Sequence, residues 1–387
     1  MAFLEHGRGN GLMRLFLEAM AIYSRAWLGA FQRTQRPAAP LTPRRIALLL
    51  VFPLFMAVQL LHWACLALDH VFFPAFRRQP IRQPVFVLGV PRSGTTFLHR
   101  ALANDAAFTT TTTWELLLAP SLCQRYLIRT LIAFDKRLGA PLAHMLRWLV
   151  KRGGRNLEAI HAVSLDAAEE DYLALLPAAG CFFASLAFPA STPLAALGDF
   201  STLFEGRRGR LIDHYHALMQ RHVYAHGGRQ LLSKNAAFAS WADALQARYP
   251  DAIMVLCIRE PLHAISSQLS SLQPARLFFG TDPKGEELPR LFRHYYARWF
   301  MDLELFARHS QSLVIDQEWM ARHSDRALDQ IYLRLGRERP ENVGESSTAT
   351  APPHRHDPGR YHLEGESLDA TLWEAYSSLS RQALMQR

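Results

Sequence analysis

The stretch Pro84-Val-Phe-Val-Leu-Gly-Val-Pro-Arg-Ser-Gly-Thr-Thr-Phe-Leu-His-Arg100 decides the fold. Val85 to Val90 is a short apolar run with strand length and β-branched content. Pro91, Arg92, Ser93 and Gly94 then form a loop, and from Thr95 onward the pattern is helical. The first amides of a helix lack an internal partner and the helix dipole is positive there, so this order makes an anion site. Gly89 and Gly94 have the spacing of a Walker A loop, G-x-x-x-x-G, but Thr95 and Thr96 stand where that loop needs Lys. The cation that grips the β- and γ-phosphates of a nucleoside triphosphate is missing, and Arg92 sits inside the loop instead. The stretch reads as a phosphate cradle rather than a nucleoside triphosphatase loop.

Working outward, the same order recurs. Gln230 to Asn235 is a short buried strand ending in a cation, Lys234, and Ser240 to Tyr249 a helix closed by Pro250. Ala252 to Ile258 is a fully apolar run of the kind found in a central parallel strand. Arg259 and Glu260 follow, with Pro261 placed to start a helix. Three strand ends thus point basic or amide groups one way, and in open α/β sheets ligands bind beyond the carboxyl ends of the strands. The expected fold class is α/β: a P-loop-like parallel sheet flanked by helices, with an N-terminal helical membrane-associating segment. Residues 287–309 read as an aromatic core helix, Arg339 to Gly359 as a surface loop or lid, and Leu368 to Met385 as a helical tail.

Composition sets the bounds. A chain of 387 residues with 49% hydrophobic content can bury a large core. The division is a segment over 1–80 and a catalytic domain over 81–387. The formal charge is +9 and its basic side is nearly all Arg. That suits bidentate recognition of phosphate or sulfate, although a GC-rich genome produces the same bias. The four cysteines, Cys65, Cys123, Cys181 and Cys257, are scattered with no C-x-x-C pair, which excludes a disulfide framework and a zinc ribbon. With no N-x-S/T sequon either, a reducing, unglycosylated compartment is expected.

Two N-terminal stretches point to a membrane. Leu12 to Phe31 puts apolar residues at helical spacing among arginines, which suits either an anionic membrane surface or packing on the chain's own domain. Ile46 to Ala67 carries no charged residue and meets the length of about 20 apolar residues that a spanning helix needs. Pro53, Gln59 and His62 weigh toward a re-entrant or surface-embedded hairpin, and arginines on both flanks blunt the orientation rule. Membrane association on the cytoplasmic face is expected, spanning or interfacial. No nucleic-acid partner and no metal is expected.

Pro91-Arg-Ser-Gly-Thr-Thr96, followed much later by Tyr249-Pro-Asp-Ala, Arg259-Glu-Pro and Ser267, resembles the sulfotransferases that use 3′-phosphoadenosine 5′-phosphosulfate, PAPS, in their bacterial P-R-S-G-T-T branch. The resemblance covers residues 84–385. It implies that Arg92, Ser93, Gly94, Thr95 and Thr96 hold the 5′-phosphosulfate, and that Arg259 and Ser267, with Ser266 a close rival, hold the 3′-phosphate. The residues agree independently: a donor phosphorylated at both ends of an adenosine needs two anion cradles. A nucleotide kinase would need one cradle plus a Lys and a metal-holding carboxylate.

Sulfuryl transfer requires in-line attack on sulfur, deprotonation of the acceptor and neutralisation of the leaving phosphate. Lys234 resembles the family's lysine that bridges donor and leaving group, but it reads Ser233-Lys234-Asn235, without the histidine that serves as base in cytosolic members. The resemblance then implies Glu115 as base, with His161 as second candidate; helix-start carboxylate and structural histidine are their bland alternatives. Arg355, Arg360 and Tyr361 resemble a late segment that folds over the nucleotide, and the acidic cluster at Glu169 and Glu170 reads as a solvated helix face. The expected function is transfer of a sulfuryl group from PAPS to a hydroxyl of a lipid-like or other apolar small molecule. A degenerate P-loop kinase and a membrane-anchored nucleotide-binding protein without catalysis are the rivals.

Overall fold

The computed structural model describes residues 2–32, 39–139, 141, 144, 167–345 and 368–387. His161, Arg355, Arg360 and Tyr361 lie outside the described residues. Five strands form one parallel sheet: β1 (Val85–Gly89), β2 (Phe108–Thr109), β3 (Gln230–Asn235), β4 (Ile253–Ile258) and β5 (Leu313–Asp316), in the spatial order β2-β3-β1-β4-β5. The all-apolar runs of β1 and β4 sit side by side at the centre with every residue buried, as two-sided burial demands of a parallel strand. Because β1 lies between β3 and β4, the strand order reverses at its carboxyl end, the place where open α/β sheets bind ligands.

Helices used below are α1 (Ala2–Gly29), α2 (Pro43–Phe72), α3 (Thr95–Leu102), α4 (Thr113–Leu117), α5 (Leu122–Arg137), α6 (Glu205–Ala225), α7 (Pro261–Phe279) and α8 (Glu287–His309). The sheet separates two apolar layers. Val85, Val87, Leu232 and Val255 face Leu98, Ala101 and Leu102 of α3. Phe86, Leu88 and Leu256 face the larger layer that holds Tyr215, Trp241, Tyr296 and Trp299. Tyr296, Trp299 and Phe300 of α8 are fully buried, as the aromatic pattern of 287–309 requires.

One apolar core crosses the boundary at residue 80. Leu15, Ala19, Ile22 and Tyr23 of α1 and Trp63 and Leu66 of α2 belong to the same buried layer as Phe86 and Leu88. The spacing of the α1 residues is that of one helix face, and this face packs on the chain's own body. Tyr23 donates to the Leu176 carbonyl at 2.5 Å, Trp27 to Leu49 at 2.7 Å and Trp63 to Pro177 at 2.9 Å. The helix α2 starts at Thr42, whose hydroxyl accepts from the Arg45 amide, and runs through Pro53 without interruption, so a hairpin does not form there. Pro53 lies on the exposed face, while Leu49, Gln59, His62, Trp63 and Leu66 hold the opposite face against the body. By length and composition α2 could cross a membrane.

Candidate active site

The loop from Val90 to Gly94 leaves β1 at the order reversal, and its geometry follows from two glycines. A Cβ on Gly89 would stand 2.2 Å from the Cys257 carbonyl oxygen of β4, so the strands approach closely only without a side chain. Gly94 has φ 86° and is the N-cap of α3, a left-handed turn that suits glycine. Arg92 also has positive φ, 69°, which is uncommon away from glycine and concentrates at functional sites. Tyr296 pins the loop from behind by donating to the Pro91 carbonyl at 2.8 Å, and the Ser93 hydroxyl closes it onto Val90 at 2.6 Å. Thr95 is buried and Thr96 exposed in the first turn of α3, where the leading amides have no helical partner.

The later motif arrives at the same place. Arg92 Nε donates to Ser267 Oγ at 2.9 Å, and Arg259 Nη1 reaches the Arg92 carbonyl at 3.3 Å. Two guanidinium groups and a hydroxyl therefore gather beside the N-terminus of α3, although Arg92 and Arg259 are 167 residues apart in the chain. Ser266 and Ser267 are both buried on α7, and of the two it is Ser267 that bonds the loop arginine. This donor set, three side chains and a helix start, fits the anionic ends of a doubly phosphorylated nucleotide.

Lys234 occupies the next strand, in register with Val87, and its side chain is only 5% exposed. Its ammonium lies 2.6 Å from Glu170 Oε1. The solvated helix face expected at Glu169 and Glu170 does not form. Ala168 bridges Thr112, the Glu169 amide donates to the Thr111 carbonyl at 3.0 Å, and a 3₁₀ turn starts at Asp171. Backbone pairing to the neighbouring segment overrides the local acidic pattern and swings Glu170 to the sheet. Asp171 takes the other side of the same strand end. Its carboxylate accepts from Asn235 Nδ2 at 3.2 Å and from Tyr215 OH at 2.7 Å. Two consecutive carboxylates thus grip two consecutive strand residues on opposite faces. Burial pushes the Asp171 carboxyl up to about 6, against the hydrogen bonds that favour its charge.

Glu115 is held elsewhere. It is 1% exposed in α4 and closes a capping box, accepting from the Thr112 amide at 3.2 Å. His226 Nε2 donates to it at 2.8 Å, Arg125 Nη1 lies at 3.4 Å and Arg129 Nη2 at 3.8 Å. Burial alone would raise this carboxyl, but the His226 hydrogen bond and the Arg125 charge overcome it and hold the group well below the usual carboxylate range. His222, also buried, stays neutral: burial and Arg125 both disfavour its cation. Arg125 donates to Nδ1 at 3.3 Å, so the proton is on Nε2, facing Thr109 Oγ1 at 2.9 Å. Glu115, His222 and His226 present ligand atoms within 4.8 Å of one another, yet the Arg125 guanidinium already supplies the cation there. His226 precedes β3 in the chain, whereas Lys234 lies at its carboxyl end, so Glu115 and Lys234 are anchored to opposite ends of that strand.

A family model described as the sulfotransferase family matches residues 84–341. The chain belongs to the sulfotransferase family. Its matched region spans everything from β1 through the second arginine and past β5, which makes Arg92, Lys234, Glu170 and Arg259 part of the family's own fold unit. Among solved structures, the sulfotransferase is similar to sulfotransferase STF1 from Mycobacterium tuberculosis H37Rv, at 17% identity and TM-score 0.65, over 95% of this chain and 92% of that one. Sulfotransferase STF9 from Mycobacterium avium is similar at 16% identity and TM-score 0.65, over 97% and 96%. At such identity these likenesses establish the fold, N-terminal helices included. No curated protein sequence matches this sulfotransferase.

Proposed function

We propose that the protein transfers a sulfuryl group from PAPS to a hydroxyl of a lipid-like or other apolar small-molecule acceptor. The observation that carries this reading is the convergence of Arg92, Arg259 and Ser267 on the β1–α3 loop, with a lysine–carboxylate pair at the carboxyl end of the adjacent strand. In this reading the loop amides and Arg92 hold the 5′-phosphosulfate while Arg259 and Ser267 hold the 3′-phosphate. Glu170 takes the acceptor proton, in the role the sequence alone offered to Glu115 or His161. The acceptor oxygen forms a new bond to sulfur as the bond from sulfur to the phosphate oxygen breaks. Lys234 carries the charge that develops on that phosphate, which leaves as adenosine 3′,5′-bisphosphate, PAP. Support for an apolar acceptor comes from Phe183, 41% exposed, leaning on Tyr172 two residues past Glu170. Among the other phenylalanines between Cys181 and Phe204, Phe182, Phe188 and Phe200 are buried in the core and Phe204 is exposed.

Thermal denaturation with PAP and with ATP plus magnesium tests the donor assignment, because a ligand that binds only the folded state raises the melting temperature. PAP is expected to stabilise the protein and ATP to leave it unchanged. A shift with ATP and magnesium and none with PAP overturns the assignment in favour of a kinase.

A further inference from the structure

The helix α2 is built inside out. Of its polar residues, Arg45, Gln59, His62 and Asp69 are buried against the protein, His70 is half-buried, and Arg44 in the first turn is exposed. Arg45 donates to the Ala187 and Phe279 carbonyls at 3.3 and 3.0 Å. His62 meets Gln124 at 2.9 Å, and the Asp69 carboxylate takes the Leu122 and Cys123 amides at 3.0 and 2.9 Å and Arg221 Nε at 2.8 Å. Every exposed position from Ile46 to Phe72 is apolar, Leu50, Leu54, Leu61, Val71 and Phe72 among them. A water-facing helix has the reverse arrangement, and contiguous apolar faces of this size are rare on soluble monomers. A helix of this length extends roughly 45 Å, and side-chain bonds tie it to the body from Arg45 near its start to Asp69 near its end. It cannot leave the body to cross a bilayer without stranding these groups.

The neighbouring helix says what covers this face. Asp69 caps α5, so the two helices are fixed side by side, and Phe73 stacks on Tyr126 at 5.0 Å. The exposed residues of α5 include Leu127, Leu131 and Phe134 together with Arg129, Lys136 and Arg137. Its one acidic residue, Asp135, is buried, and no exposed residue of α2 or α5 is acidic. Arg77 and Arg78, exposed just past α2, extend the basic border. An apolar face whose exposed charges on α2, on α5 and in the turn after α2 are all cationic fits the surface of an anionic bilayer.

We propose that α2 and α5 form a monotopic membrane-docking face, in which α2 lies in the plane of an anionic lipid surface and the bilayer is not crossed. This inference does not rest on the donor or the acceptor, and its test reads lipid binding alone. Flotation of the full chain with vesicles of phosphatidylcholine mixed with phosphatidylglycerol, and of phosphatidylcholine alone, is the measurement. The wild type is expected to float with the mixed vesicles, and raised salt is expected to weaken binding. Leu54→Glu with Leu61→Glu should lower the partition coefficient at least tenfold while the far-ultraviolet circular dichroism and melting temperature stay unchanged. Lys136→Glu with Arg137→Glu should abolish the preference for mixed vesicles and keep the residual binding to phosphatidylcholine. Should the glutamates unfold the chain, a thiol at Leu61→Cys decides: its labelling by a water-soluble maleimide, read by peptide mass, must fall when mixed vesicles are added. A wild type that stays out of both vesicle fractions overturns the proposal. So does a discrete dimer in light scattering that the double glutamate variant converts to monomer, which would make the face an interface between copies.

Discussion

Two carboxylates differ in how much of the fold depends on them: Glu115 is fully buried, and Glu170 is half-buried. Glu115 lies among two arginines and two histidines, accepts a backbone amide through its own capping box, and is held ionised by the His226 hydrogen bond and the Arg125 charge. Glu170 lies at the carboxyl end of β3, faces one lysine, and sits on a segment placed by backbone pairing to Thr111 and Thr112. A carboxylate held far below its usual range has little basicity to offer an acceptor hydroxyl. Glu170 is the more lightly tethered group, paired with Lys234 alone, which is why the proposed mechanism gives it the acceptor proton.

The two carboxylates should differ most in kinetics. Glu170→Gln is expected to lower the rate of sulfuryl transfer by about 10²–10⁴-fold, the range for removal of a general base, in a chain that still folds and binds PAP. Single-turnover measurement at saturating donor reads it. An unchanged rate in this variant returns the role to Glu115 or another group.

Glu115→Gln is expected to act in the opposite column. The amide still accepts the Thr112 hydrogen bond, but Arg125 is left buried without its counter-charge, a loss of about 3–5 kcal/mol in stability. Urea unfolding measures it, and below the melting transition the surviving folded fraction should transfer sulfate at a near-normal rate. A Glu115→Gln protein with wild-type stability and no transfer would reverse the assignment of the two residues.

The sequence disclosed the frame of the site and concealed its contents. Val85 to Val90 and Ala252 to Ile258 are legible as strands because a central parallel strand is an unbroken apolar run, whatever surrounds it, and Gln230 to Asn235 as a shorter strand ending in a cation. Strand β5 was not, since Leu313-Val-Ile-Asp316 is too short to tell from the end of the preceding helix by pattern alone. Arg92 and Arg259 stand out because they follow strand ends that are visible in the sequence, whereas Ser267, inside the next helix, is reached only through the family resemblance. Glu170 was hidden for the converse reason. Its neighbours Glu169 and Asp171 give it the look of an acidic surface patch, and only pairing with Thr111 to Thr112, some fifty-eight residues earlier for Thr111 and Glu169, brings it to Lys234. The apolar face of α2 is half legible: its apolar content shows in sequence, whereas the inward turn of His62 and Asp69 depends on partners in α5 and α6.

Asp171 offers the finest version of the comparison, because its proton affinity moves opposite to that of Glu115. Burial raises the Asp171 carboxyl from its ordinary 3.8 to about 6, so in this window the folded chain binds a proton that the unfolded chain has already released. Its contribution to stability is therefore complete at low pH and is lost as pH rises through about 6, whereas that of Glu115, with its carboxyl depressed, is present above the ordinary carboxylate range and lost as pH falls. Asp171→Asn removes the titration and keeps an acceptor for Tyr215. The stability difference between wild type and Asp171→Asn should change by up to about 1.4 kcal/mol per pH unit between roughly pH 4 and 6, the slope of one proton, and level off on either side. Asp302, also raised to about 6 by burial, is common to both proteins and drops out of the difference. Parallel stability profiles across that interval would mean that Asp171 keeps its charge in the fold, and that the strand end carries two carboxylates against a single lysine.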